Sequence, residues 1–594
     1  MCGLSGEIRF DGHRPDLVAV ERMSERLAER GPDDGGIWTR GAAALGHRRL
    51  KIIDLSDLAA QPMTDAGAGL TAVFNGCVYN YRELRDELRG LGHRFVSTSD
   101  TEVVLKAYRQ WGTACVERFY GMFAFALVEH RSGRVVLGRD RLGIKPLYLA
   151  RTPDRLRFAS SLPALLAGGD VDTSLDPVAV HQYLSWHATV AAPRTVLNGV
   201  RKLPPATVRV VEPDGTHRDH VYWQPSYTRR AEDADMSAAD WSDVLLDALR
   251  TAVRRRMVSD VPVGVLLSGG LDSSLIVALL AQEGQRDLMT FSVGFESEAG
   301  EDGDEFPYSD LVAREFGTDH HRLMVPSDRV SDALDGAVAA MSEPMTSHDA
   351  VAFYLLSEQV SKEVKVVQSG QGADEVLAGY HWYPRLAEAA RPDAAERYAD
   401  TYFDRPHTDL ADVLEPGMLA DDDVSGRFVR EHMAAPGAET ALDAALRLDT
   451  HVMLVDDPVK RVDNMTMAWG LEARVPFLDH ELVELAAACP PGLKLADGGK
   501  GVLKTAGRRL LPRDVVDRPK GYFPVPAIRH MAGPVLKRVR EALEAPEARH
   551  RGLFREPYVS RLLEAPDEHR TRRGANALWQ VALLEIWLQT HGIT

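Results

Sequence analysis

The chain has 594 residues, several times the size of one compact domain, so at least two independently packed cores are expected. Its 70 Lys and Arg stand against 87 Asp and Glu, and the formal charge of -17 argues against a nucleic-acid or anionic-membrane surface as its main business. Hydrophobic residues at 45% and charged residues at 26% exclude disorder for the bulk of it.

The longest apolar runs, such as Met122 to Val128 and Leu275 to Leu280, fall far short of the ~18–20 residues that a bilayer span needs. The stretch Met1-Cys2-Gly3-Leu4-Ser5-Gly6-Glu7 lacks the basic and apolar regions that mark secretion, so a cytoplasmic location is expected. Only four cysteines occur (Cys2, Cys77, Cys115 and Cys489), with no CxxC pair, which excludes a disulfide framework and a cysteine zinc site. Any cysteine with a role here has it through reactivity.

Residues 1–211 alternate short apolar runs, including Thr71 to Phe74, Phe123 to Val128 and Val135 to Leu137, with helical patterns at Tyr81 to Leu88 and Thr101 to Tyr108. The spacing predicts an α+β layered domain, with Asp100 as the cap of the second helix. Residues 212–240 are polar, turn-rich and weakly periodic, and read as a linker. Residues 241–594 begin with strand, glycine turn and helix in alternation: Val261 to Leu267, then Ser268-Gly269-Gly270, then Leu271 to Gln282. Further strands at Leu288 to Phe295, His321 to Val325 and Val364 to Val367, with a helix at Ser309 to Phe316, predict an α/β domain built on a parallel sheet. The remainder to Thr594 reads as helical.

Ser268-Gly269-Gly270-Leu271-Asp272-Ser273-Ser274 joins a buried strand to a helix, where backbone N–H groups and the positive helix end make an anion cradle. No Walker lysine pattern is present, which excludes phosphoryl transfer of the P-loop kind, and Asp272 offers a carboxylate to Mg2+. The ordinary explanation is a serine-capped glycine turn. The run resembles the loop of the ATP pyrophosphatases (PP-loop proteins), which implies ATP binding and AMP transfer onto a carboxylate or carbonyl oxygen.

Cys2 follows the initiator methionine directly, and a small residue there allows that methionine to be removed. The thiol then sits beside a free α-amine, whose ordinary pKa near 8 lets one residue supply both nucleophile and base. A lone Cys2 is ordinarily an incidental residue of a frayed terminus. Here it accompanies Arg30-Gly31-Pro32-Asp33, Gly46-His47-Arg48-Arg49-Leu50, Phe74-Asn75-Gly76 and Ser99-Asp100. Together these resemble the class II glutamine amidotransferase domain, an N-terminal nucleophile (Ntn) fold, in the asparagine synthetase arrangement. The resemblance implies that Cys2 attacks the glutamine side-chain amide and that Asn75 with the Gly76 N–H forms the oxyanion hole. Arg49, followed by Leu50 to Ile53, would hold the α-carboxylate, and Asp100 the α-ammonium. Taken singly, each has a dull alternative as a surface arginine, a turn asparagine or a helix cap.

The resemblance to glutamine-hydrolysing asparagine synthetases extends over nearly the whole chain. It implies ATP and Mg2+ as cofactors, with Asp374 in Ser369-Gly370-Gln371-Gly372-Ala373-Asp374 as a second metal carboxylate opposite Asp272. Leu267, Val293, Ser369 and Gly370 would line the adenosine pocket, and Lys520 would face the acyl-adenylate. Glu472 and Arg474 read as a structural ion pair. Small-molecule substrates are implied, namely glutamine, ATP and a carboxylate acceptor, with a homodimer as the family expectation.

Two departures stand out. Asparagine synthetases usually read Asn-Gly-Glu where this chain has Asn75-Gly76-Cys77, and that Glu helps bind the glutamine amine. They read Ser-Gly-Glu-Gly where this chain has Ser369-Gly370-Gln371-Gly372, and Gln cannot act as a base. With SGQGADEVLAGYHWYP and KRVDNMTMAWGLEARVPFLDHELVELA, these departures resemble the N-acetylglutaminylglutamine amidotransferase branch, which implies an acetylated dipeptide carboxylate as acceptor. Two rivals stand beside it: an asparagine synthetase that uses aspartate, and a nucleotide-binding regulatory protein without synthesis. Closure of a β-lactam ring is disfavoured by the intact Cys2 set.

Overall fold

The computed structural model describes residues 2–296, 303–518 and 531–594. Among the described residues, seventeen strands form three sheets. In chain order they are β1 (Cys2–Arg9), β2 (Asp34–Arg40), β3 (Ala43–Arg49), β4 (Met63–Asp65), β5 (Leu70–Val78), β6 (Gly121–Glu129) and β7 (Val135–Arg139). Then follow β8 (Tyr148–Arg151), β9 (Arg155–Ala159), β10 (Val200–Lys202), β11 (Thr207–Val211) and β12 (His217–Val221). The last five are β13 (Val263–Leu266), β14 (Met289–Phe295), β15 (Asp319–Val325), β16 (Val366–Gln368) and β17 (Glu472–Arg474).

The first two sheets are antiparallel, in the orders β10-β8-β9-β1-β3-β2 and β12-β11-β7-β6-β5-β4. They pack face to face over Leu4, Ile8, Leu45, Val73, Ala126 and Phe158, the inward residues of the strand alternation. On β5, Val73 enters this core while its neighbours Ala72 and Phe74 enter the cluster on the other face with Val103 and Val104 of the helix Asp100–Trp111. The helix Leu17–Arg26 covers the opposite sheet through Val20 and Met23 against Ala44. Helix, sheet, sheet and helix make the layered N-terminal nucleophile architecture that the motifs implied.

The third sheet is wholly parallel, in the order β15-β14-β13-β16-β17. Val265 and Leu267 face one helical layer, with Leu275 and Leu245; Leu266 and Phe291 face the other, with Val351 and Leu355. A parallel sheet covered on both sides reads as continuous apolar runs, which is why β13 and β14 are visible in the sequence. The helix Ala577–Thr590 is apolar all round and buried in the second layer. Among the described residues no helix is long and apolar enough to cross a membrane.

Three expectations change. The segment 212–240 contains β12, an exposed edge strand paired with β11 and invisible to hydrophobic patterning because its five residues, HRDHV, lack a buried face. β17 lies within the stretch that reads as helical; three residues are too few for a period to show. The two expected cores are not separate: Leu50, Ile52 and Phe74 share a buried cluster with Val459, Val475 and Phe477.

Buried charge crosses the same boundary. Arg30 Nη1 and Lys145 Nζ contact the Asp463 carboxylate at 2.9 and 3.0 Å, with all three side chains at most 8% exposed. Lys202 Nζ meets Glu343 and Asp456 at 3.0 and 2.5 Å, equally buried. Burial opposes the charge on Asp463, yet Arg30 and Lys145 hold its carboxyl below the ordinary 3.8. Asp463→Ala leaves two buried cations without their anion, and the expected cost is about 3–5 kcal/mol, read as a lowered urea midpoint. The Asp463 contribution is present above the ordinary carboxylate pKa and is lost as pH falls through the lower folded value.

Candidate active site

Two pockets hold the residues singled out in the sequence. The first opens where β1 meets β5. Cys2 lies opposite Arg49 in the β1–β3 register, and its backbone N–H donates to Asn75 Oδ1 at 3.0 Å. That bond fixes the Asn75 amide and leaves Nδ2 buried without a hydrogen-bond partner among the described residues. An unsatisfied buried donor costs about 1–3 kcal/mol, a cost relieved when a ligand oxygen accepts from it. At Gly76 a Cβ would fall 2.1 Å from the Met122 carbonyl oxygen, so only glycine lets β5 and β6 close here.

The pocket is walled by Cys2, Arg49, Leu50, Ile53, Gly76, Cys77 and Asp100, all expected; Asn75 is joined to it through Cys2. Arg49 donates to the carbonyls of Ser56, at 2.9 Å, and Asp54, which fixes its guanidinium in place. Asp100 does not cap its helix. Ser99 does, accepting from the Glu102 N–H, and Asp100, as the first helical residue, accepts from the Val78 N–H at 3.1 Å instead. The side chain read as a cap is thereby turned to the pocket. Burial, chiefly, raises its carboxyl to about 6, and the negative Glu472 adds to the shift. Burial also pushes the Cys2 thiol up, while the Leu50 backbone and Arg49 pull the other way.

Glu472 and Arg474 complete the wall, although both belong to the other half of the chain. Arg474 Nε donates to Glu472 Oε1 at 2.5 Å, and its Nη1 donates to the carbonyls of Arg256 and Val258, each at 2.7 Å.

The second pocket lies at the carboxyl ends of β13, β14 and β16, where open α/β sheets bind ligands. Leu267, Ser268, Gly270, Asp272, Ser273, Val293, Ser369, Gly370, Gln371 and Asp374 line it. Ser268 and Ser273 close the loop through their hydroxyls, 3.1 Å apart. Gly269 and Ser274 are not in the wall. Gly269, at φ +71°, is where a Cβ would come within 2.5 Å of the Ser309 nitrogen, so its glycine serves helix packing; Ser274 is fully buried. Lys520 lies outside the described residues.

Asp272 and Asp374 converge on one point, for Lys500 Nζ contacts Asp272 Oδ2 at 2.7 Å and Asp374 Oδ1 at 2.9 Å. Burial opposes its charge, but the two carboxylates raise the Lys500 ammonium above its ordinary value. Lys500 escaped the sequence reading; its signal is Gly498-Gly499 immediately before it, a turn that sets Lys500 itself at φ +55°.

Residues 1–223 match the family described as Glutamine amidotransferase domain, and residues 244–589 match Asparagine synthase. The chain belongs to the asparagine synthase family. It is 30% identical to asparagine synthetase [glutamine-hydrolyzing] 3 of Bacillus subtilis, over 88% of this chain and 87% of that one. It is 32% identical to a putative asparagine synthetase [glutamine-hydrolyzing] of Mycobacterium bovis, over 96% and 93%. As a member of that family it is a carbon–nitrogen ligase with glutamine as amide-nitrogen donor, and it uses ATP.

Binding of the glutamine α-ammonium by Asp100 would need the carboxylate; in that role kcat/KM for glutamine hydrolysis is expected to be flat at neutral pH and to fall below about 6, approaching tenfold per unit. A pH profile of glutaminase activity checks this. Asn75→Ala should lower kcat by about 100- to 1,000-fold, measured as glutamate release.

Proposed function

We propose that the two pockets divide the reaction between them. At the first, Cys2 attacks the glutamine amide carbon; its thiol proton passes to the α-amine freed by removal of Met1, and the developing oxyanion accepts hydrogen bonds from Asn75 Nδ2 and the Gly76 N–H. Arg49 takes the glutamine α-carboxylate. Collapse of the intermediate releases ammonia, and water later frees glutamate. The observation that carries this half is the bond between the Cys2 nitrogen and Asn75, which leaves the buried Nδ2 ready to donate.

At the second pocket, the acceptor carboxylate attacks the α-phosphorus of ATP, pyrophosphate departs, and ammonia that has travelled inside the protein displaces AMP to give the amide. Asp272 and Asp374 are the hard oxygen donors that would hold Mg2+, with the ATP phosphates as further ligands, once Lys500 Nζ, which sits between them at 2.7 and 2.9 Å, turns toward those phosphates. Bound there, Mg2+ neutralises phosphate charge. Lys500, held between the same carboxylates, would supply a cation to the leaving pyrophosphate, and Lys520 would face the adenylate.

The acceptor reading rests on Gln371, in the pocket wall where asparagine synthetases carry Glu. Its amide both donates and accepts, which suits an acceptor that carries amides itself, the C-terminal carboxylate of N-acetylglutaminylglutamine. AMP formation with ATP and glutamine, compared for that dipeptide and for aspartate, tests it: preference for the dipeptide is expected, and preference for aspartate overturns it.

Cys2→Ala should abolish glutamine-dependent synthesis and glutamate release yet keep synthesis with added ammonium chloride. Asp272→Ala should abolish pyrophosphate release with either nitrogen source.

A further inference from the structure

Position 77 raises a question that the glutaminase half does not answer. Glutamine enters with an α-ammonium, and the carboxylate that asparagine synthetases usually place at position 77 is absent. Cys77 is buried, and burial pushes its thiol well above the ordinary value, so it stays neutral and offers an ammonium nothing electrostatic.

The pocket nevertheless holds a second carboxylate besides Asp100. Arg474 Nη2 lies 3.9 Å from Cys77 Sγ and its Nε donates to Glu472 Oε1 at 2.5 Å, so one guanidinium touches both the Glu472 carboxylate and position 77. Glu472 and Asp100 line the same cavity as Cys2 and Arg49. The geometry is braced, because Arg474 is itself anchored on the carbonyls of Arg256 and Val258. Burial opposes ionisation of Glu472, but positive charge, that of the chain's N-terminal amine first and then of Arg474 and Lys145, favours its carboxylate.

We propose that Glu472, carried on β17 by the ATP-binding half, binds the α-ammonium of glutamine together with Asp100, in place of the carboxylate missing at position 77. The glutamine site is then composite, with one ligand from each half of the chain. The proposal rests on the reading of the Cys2 pocket as the glutamine site.

The test compares L-glutamine with glutaramate, the same amide and carboxylate without the α-amine, as substrates of the full-length protein. Glu472→Gln should raise the KM for glutamine about 30-fold or more, with kcat within about threefold, and leave glutaramate kinetics unchanged, so that the preference for glutamine collapses by the same factor. An unchanged preference overturns the proposal, and so does an equal loss on both substrates, which marks a structural role. If Glu472→Gln does not fold because Arg474 is left unpaired, the pair Glu472→Gln with Arg474→Gln removes both charges, and the same ratio decides. Cys2→Ala separates the two levels: hydrolysis that persists without Cys2 refutes the glutamine-site reading itself, whereas Cys2-dependent hydrolysis with an unmoved ratio refutes only Glu472.

Discussion

Asp463 is the fixed point about which the two halves are joined. A carboxylate taken out of water is costly unless its partners surround it, and here two cations from the glutaminase half, Arg30 and Lys145, close on one acid of the other half. Neither side could bury its charge alone. The helix Lys460–Met467 that carries Asp463 is followed at once by β17, so the clamp that neutralises Asp463 also determines where Glu472 and Arg474 reach the Cys2 pocket. A second buried set, Lys202 with Glu343 and Asp456, holds the preceding part of the same segment. Apolar contact between the halves has no direction, so the ion pairs are what fix the register in which the shared clusters meet.

What could be read from the sequence was local. Cys2, Arg49, Asn75, Gly76 and Asp100 sit in short motifs whose chemistry is carried by residue type, and they come together in one pocket. The loop Ser268–Ser274 and its strand were legible because a doubly covered parallel strand announces itself as an apolar run before glycine. What was not legible depends on contacts between residues far apart in the chain. Cys77 and Arg474 are separated by 397 positions, and no spacing rule connects them. Glu472 looked like half of a structural pair because it is one; only the fold shows that the pair shares a pocket with Cys2. Lys500 was hidden for the same reason, since its partners Asp272 and Asp374 lie more than a hundred residues earlier. Asp100 was placed one residue out as a cap, and the one-residue difference is what turns its carboxylate to the pocket.

β17 also links the two chemistries mechanically. Its side chains at positions 472 and 474 wall the glutaminase pocket, while the carbonyl of Arg474 accepts from the Ser369 N–H at 2.8 Å, at the start of the turn that bears Gln371. Three residues thus touch both sites. An edge strand this short has little cohesion of its own and depends on what it is bonded to at each end. β17 thus joins Glu472 in the wall of one pocket to Ser369 in the wall of the other.

The neutral residue at position 77 has its own electrostatic logic. With Arg49 and Arg474 against Asp100 and Glu472, the Cys2 pocket holds two positive and two negative side chains when Asp100 is ionised. Glutamine is a zwitterion of no net charge, so on the proposed reading its entry would leave the buried total unchanged while each of its charges met an opposite one. A third carboxylate at position 77 would add a negative charge beside Asp100, whose carboxyl burial and Glu472 already hold at about 6, and would push it further toward the protonated form. An Asp100 neutral at working pH would bind an ammonium less well. In this pocket a thiol at 77 therefore keeps Asp100 charged, and the second carboxylate comes instead with its own counter-ion, as the Glu472–Arg474 pair on β17.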